Sequence, residues 1–105
     1  MTVAERDGVL VGLVQPQGNE VNGLWIDPTA QGIGIGPALL RWAEQQIAGF
    51  GHQTAWITCS GYNPRALRFY QRQGYVETRK SIVVLSPDLT DEVIVLERSL
   101  TLSQS

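Results

Sequence analysis

The chain is poor in the features that mark several large functional classes. It has no long apolar run, and its N-terminus, MTVAERDG, has neither a basic leader nor an apolar stretch. No membrane span or secretory signal is expected, and a cytoplasmic protein is. Positive charge is not in excess: eight Lys and Arg stand against ten Asp and Glu, a net charge of -2, so no global field favours nucleic acid or an anionic membrane as a partner. The single cysteine, Cys59, excludes an internal disulfide. In the run TAWITCS it reads as a small buried hydrophobe rather than a nucleophile, since the one histidine, His52, lies in a glycine-flanked turn. Charged residues make up 17% and apolar residues 43%, the balance of a packed domain and not of a disordered chain. With 105 residues the chain has room for one core, and residues 1–100 are read as one domain followed by a frayed tail, 101–105.

What is present is turn chemistry between short periodic segments. Asp7-Gly8 is a hairpin signal, followed by a strand over residues 9–14. Pro16-Gln17-Gly18-Asn19 makes the next turn, and residues 20–26 read as a third strand that stops at Asp27-Pro28, with Asp27 as a turn residue. Pro37 suits the first turn of a helix over 37–48, in which Leu40, Ala43 and Ile47 form the buried stripe and Arg41, Glu44 and Gln45 face water; Gly49 and Gly51 end it. Residues 54–59 are β-branched and aromatic, and a strand there, following a helix that follows a strand, completes a parallel βαβ unit at the centre. Asn63 and Pro64 provide an N-cap and first-turn proline for a helix over 65–73, closed by Gly74. Two last strands, 76–85 and 92–100, join through SPDLTD. The expected fold is α/β (α+β), a mixed sheet in the order β-β-β-α-β-α-β-β. Trp25, Trp42 and Trp56 are expected to fill core and sheet surfaces.

Between the third strand and the first helix stands QGIGIGPALL, with glycine at 32, 34 and 36. Bare backbone before a helix N-terminus is an anion site, usually for phosphate. A Walker A loop is excluded, because no lysine precedes Lys80 and no Gly-Lys pair exists. A dinucleotide fingerprint fails in both registers, at Pro37 and at Leu39, and no Asp or Glu between Glu44 and Glu77 is available for a ribose. Gln31-x-x-Gly34-x-Gly36, after LWIDP and before PALL, resembles the Q/R-x-x-G-x-G/A pyrophosphate motif of the GCN5-related N-acetyltransferase (GNAT) superfamily. Asn63-Pro64-Arg65-Ala66-Leu67-Arg68-Phe69-Tyr70-Gln71-Arg72-Gln73-Gly74-Tyr75 resembles the N-x-x-A-x-x-F-Y-x-x-x-G-F/Y helix of the same superfamily.

The resemblance implies an acetyl-CoA-dependent N-acetyltransferase, acting on an amine by direct attack in a ternary complex, with acetyl-CoA as cosubstrate and no metal. It implies that the backbone of Leu24, Trp25 and Ile26 holds the pantetheine, and that the N–H groups of Gln31, Gly32, Ile33, Gly34, Ile35 and Gly36 hold the pyrophosphate. Gly34 and Gly36 then keep phosphate volume clear of a Cβ, while Gly32 eases the turn. Tyr70 corresponds to the tyrosine that protonates the departing thiolate; it also shares a helix face with Ala66 and Leu67 and is open to a core role. Asn63 corresponds to a residue on the pantetheine arm, and its N-cap role alone would account for it. Glu20, placed by strand alternation on one face with Asn22, Leu24 and Ile26, reads either as the base for the amine or as a solvated residue after a turn. Arg65, Arg68 and Arg72 form one basic helix face, open to the adenosine phosphates or to water. The family's usual first strand and two helices have no counterpart in the chain, which makes a homodimer the expected assembly. A non-catalytic CoA-binding or interaction module is the alternative.

Overall fold

The computed structural model describes residues 2–100, so the expected tail at 101–105 lies outside the described residues. The elements follow the expected order: β1 (Thr2–Arg6), β2 (Val9–Gln17), β3 (Glu20–Ile26), a 3-10 turn (Pro28–Ala30), α1 (Ile35–Gly49), β4 (Thr54–Ser60), α2 (Pro64–Arg72), β5 (Val76–Ser86) and β6 (Leu89–Ser99). The differences are at ends. β2 runs through Pro16 to Gln17, which tightens its turn to Gly18-Asn19 with Gly18 at φ +60. β5 and β6 likewise close on Pro87-Asp88, since two-residue connections match the twist of paired strands. The chain divides into two compact units, residues 2–55 with Leu100, and residues 56–99; β4 starts in the first and continues in the second.

In the first unit β1, β2 and β3 form an antiparallel meander, and α1 packs on β2 and β3. The expected helix stripe is in place: Leu40, Ala43 and Ile47 are fully buried, joined by Leu39 and by Val14 and Val21 of the strands. Gly12 permits the close approach. A Cβ built there would lie 2.9 Å from Leu39 Cδ1, 3.1 Å from Ile35 Cγ2 and 3.2 Å from Ile26 Cδ1. Glu44 departs from expectation: it is buried, at 5% exposure, and not turned to water. It adjoins Ala43 at the margin of the stripe, and the Arg41 guanidinium one turn back pairs with its carboxylate, which offsets the desolvation.

A second correction concerns β3. Leu13 faces Trp25 and Gln15 faces Asn22, so two steps along β2 match three along β3. The extra residue is a bulge at Gly23, which sits at φ +72, a conformation that favours glycine. The bulge reverses the alternation. Glu20 and Asn22 therefore share a face with Trp25, not with Leu24 and Ile26.

In the second unit the strand order is β4-β6-β5, with β5 antiparallel to β6. Ile57, Cys59, Tyr75, Ile94 and Leu96 are buried. Every residue of β5 is exposed, including Ile82, Val84 and Leu85. The tryptophans do not fill the core: Trp25 is exposed, Trp42 and Trp56 are half-buried, and Tyr75 is the large buried aromatic. Among the described residues no helix is long and apolar enough to cross a membrane.

Gly12→Ala tests the close packing of α1. The added methyl overfills the contact and lowers stability by about 1–3 kcal/mol, read as a lower urea midpoint at unchanged slope. An unshifted midpoint would show that Leu39 and Ile35 move aside at no cost.

Candidate functional site

The functional residues expected from sequence fall in both units. In the first, β3 leads into a turn held by Asp27, whose Oδ1 accepts from the Thr29 amide at 2.9 Å and from the Thr29 hydroxyl at 2.7 Å. Those two bonds, the hydroxyl's first, hold the Asp27 carboxyl below its ordinary range. Gln31 is extended, Gly32 lies at φ +84 and Gly34 at φ +87. A Cβ at either glycine would meet nothing within 4 Å. The left-handed backbone favours glycine at both positions, so Gly32 is as constrained in conformation as Gly34; Gly36 is buried in the first turn of α1.

Gly34 is the N-cap of α1 and has no side chain to cap with, the first turn contains no acidic residue, and Pro37 has no N–H. Among the described residues the remaining first-turn N–H groups thus have no side-chain acceptor, and the first turn of this 15-residue helix carries no acidic residue against its partial positive charge. Gln31, Gly32, Ile33 and Gly34 are exposed, so this end is accessible to an anion. Leu24 and Ile26 are half-buried and Trp25 is exposed beside them; Glu20, half-buried, opens β3 opposite Gln17. His52 is exposed in the same unit.

In the second unit, Asn63 Oδ1 accepts from the Ala66 amide at 3.2 Å and caps α2, as expected, with Pro64 next in line. Arg65, Arg68 and Arg72 are all exposed. Tyr70 is half-buried, edge-on to Phe69 at 5.4 Å and to Tyr75 at 6.3 Å between ring centres. Burial, with a smaller contribution from Cys59, pushes its phenol up to about 12. Cys59 is buried and donates to the carbonyls of Ser60 and Asn63; burial and then the Asp91 charge push its thiol upward as well. Both groups are therefore neutral proton donors near pH 7. The Ser60 hydroxyl donates to Asp91 Oδ1 at 2.8 Å and accepts from the Tyr62 amide at 3.2 Å, while Gly61 N–H bonds the Glu92 carbonyl at 2.6 Å. Ser60 and Asp91 were not singled out by sequence, where Asp91 is the last residue of a turn-like SPDLTD; their only sequence signal is polarity at the ends of two strand patterns.

The Acetyltransferase (GNAT) family model matches residues 1–75, a span that includes the glycine loop, Asn63 and Tyr70. The chain belongs to the GNAT family. A blasticidin-S acetyltransferase from Streptomyces morookaense is 35% identical over 97 residues, covering 89% of this chain and 67% of the relative. A mycothiol acetyltransferase from Sanguibacter keddieii is 30% identical over 96 residues, covering 81% of this chain and 30% of the relative. The chain thus spans about a third of the mycothiol relative and two thirds of the blasticidin-S relative. Among solved structures, a protein from Bacillus anthracis assigned as a streptothricin acetyltransferase, in complex with acetyl coenzyme A, superposes with a TM-score of 0.82 at 17% identity over 92% of this chain and 60% of its own. That likeness shows the GNAT fold, a mixed α/β architecture.

The raised phenol makes an alkaline prediction. Folded Tyr70 keeps its proton to about 12, whereas an unfolded tyrosine loses it near 10. Between these values the native state binds more protons, so its stability falls as pH rises. Tyr70→Phe should flatten this fall in denaturant titrations between pH 10 and 12, by up to roughly 1.4 kcal/mol per unit. Identical slopes in both proteins would show that Tyr70 titrates normally.

Proposed function

We propose that this chain is an acetyl-CoA-dependent N-acetyltransferase that moves an acetyl group to an amine acceptor by direct attack within a ternary complex. The observation that carries the reading is that the GNAT family match spans both the helix N-terminus behind Gly32 and Gly34, whose N-cap has no side chain, and Tyr70. When bound, acetyl-CoA supplies an activated acyl thioester. The N–H groups from Gln31 to Gly36 hold its pyrophosphate, and the backbone of Leu24, Trp25 and Ile26, with Asn63, holds the pantetheine arm. Glu20 removes a proton from the amine, the nitrogen–carbon bond forms as the carbon–sulfur bond breaks, and the Tyr70 phenol gives its proton to the sulfur. Cys59, held as a buried thiol, takes no acetyl group itself. The solved relative with acetyl coenzyme A supports the cosubstrate, and the acetyltransferase names of the relatives support the reaction class.

The proposal takes residues 1–100 as one working domain, which the family match across 1–75 supports. It includes a cytoplasmic location, in keeping with a chain that has one cysteine and no internal disulfide. It also includes a homodimer, supported by the exposed apolar residues of β5 at the end of its unit's strand order. Sedimentation as a monomer at micromolar concentration would remove that part.

Tyr70→Phe should slow acetyl transfer by about 100-fold or more while leaving acetyl-CoA affinity by calorimetry within a factor of about two, because the phenol acts on the leaving group and not on the phosphates. Full activity in the variant would take Tyr70 out of the mechanism. Gly34→Glu should abolish acetyl-CoA binding, since it strains a left-handed residue and brings a negative charge to the helix N-terminus. Unchanged affinity there would refute the loop assignment. A rise in melting temperature with acetyl-CoA but no CoA release across an amine panel would favour a non-catalytic CoA-binding module instead.

A further inference from the structure

The acetyltransferase reading uses the N-terminal end of α1 and leaves the other end without a role. There a cavity of about 500 Å³, within the range of small-molecule sites, is lined by Pro16, Gly18, Trp42, Gln46, Phe50 and His52. All six residues belong to the first unit. Trp42, Gln46 and Phe50 follow one another at four-residue spacing, so an indole, an amide and a phenyl ring form one row down the helix. Phe50 is 79% exposed, and its ring is therefore not held there by the core. The facing wall is fixed. The Asn19 side-chain amide donates to the Thr54 carbonyl at 3.1 Å, which ties the turn beside Gly18 to the start of β4, and the His52 N–H bonds the Ile47 carbonyl at 3.3 Å.

The charge of this end selects the ligand. No Lys or Arg is among the lining residues, and the last turn of α1 carries no basic residue against its partial negative charge. The faces of Trp and Phe rings are electron-rich and attract a cation. A primary ammonium would also need acceptors for three N–H donors, and here no carboxylate lines the cavity, while the carbonyls of Gln46, Ile47 and Ala48 already accept from the amides of Phe50, His52 and Gly51. A cation without N–H donors makes no such demand. We infer that the cavity between Trp42, Phe50 and His52 binds a small quaternary ammonium ligand, its charge set against the aromatic rings at the C-terminal end of α1. The site lies about 20 Å along the helix from Gly34, so it is separate from the glycine loop and does not rest on the acetyltransferase reading.

The test compares choline with 3,3-dimethyl-1-butanol, which has the same shape with carbon in place of the charged nitrogen. Both are titrated at pH 8 into the protein without acetyl-CoA, with the amide signals of Gln46, Phe50 and His52 followed by NMR. The wild type should bind choline about fivefold or more tightly than the alcohol, the scale of a cation against aromatic faces. Phe50→Leu keeps an apolar side chain and removes the ring, and should take away most of that preference. Gln46→Lys places a cation in the last turn, and should weaken choline by about tenfold while leaving the alcohol within about twofold. Both positions are exposed, so neither substitution disturbs the core. Equal affinity for the two compounds would make the cavity a plain apolar groove and overturn the inference. A preference that survives either substitution, or no signal shift with either compound, would overturn it as well.

Discussion

The close packing of α1 over Gly12 is the contact on which the first unit depends. Because no side chain stands at Gly12, Ile35 and Leu39 press against β2 and meet Ile26 of β3, so the first turn of the helix is fixed against the strand that precedes it. The connection between strand and helix then has little freedom. Asp27 bonds Thr29, Ala30 is buried, and Gly32 and Gly34 take left-handed conformations that other residues adopt only with strain. The result is a helix N-terminus that no side chain caps among the described residues. A threonine or aspartate at position 34 would satisfy those amides and occupy the place of an anion. Glycine leaves them available.

The second unit is organised by charge as much as by packing. Burial of Cys59 and Tyr70 disfavours their ionised forms. Tyr70 and Cys59 are thus a phenol and a thiol near pH 7, and the Ser60 hydroxyl fixes the orientation of Asp91 through a hydrogen bond. The same environment makes the lone cysteine a packing residue, as its place in TAWITCS implies.

Much of the fold was legible because it rests on local rules. Asp7-Gly8, Asn63-Pro64 and Gly74 act through neighbours only a few residues away, and each sits where its own conformational preference puts it. The buried stripe of α1 follows from a helical repeat, so Leu40, Ala43 and Ile47 could be named without a partner strand in view. Glu44 could not. Whether a residue at the margin of a stripe is covered depends on how the helix is rolled against the sheet, and on an arginine that lies one turn away. Trp25 and Trp56 lie on sheet strands, as one part of the expectation had it, but no tryptophan reaches the core, because an apolar composition does not say which large ring the available gap accepts.

From the sequence alone came the order of elements, the glycine loop and the helix that carries Tyr70, because caps, turns and periodicity are encoded within short windows. Only the tertiary structure decided which face Glu20 shares, since the bulge at Gly23 is defined by β3 against β2 and a one-residue slip reverses every side chain beyond it. It alone joined Ser60 to Asp91, 31 positions apart in the chain, through the pairing of two strands. It alone showed that Gly32 and Gly34 are required for their backbone angles, because a sequence records that the Cβ is missing and not the conformation that its absence permits.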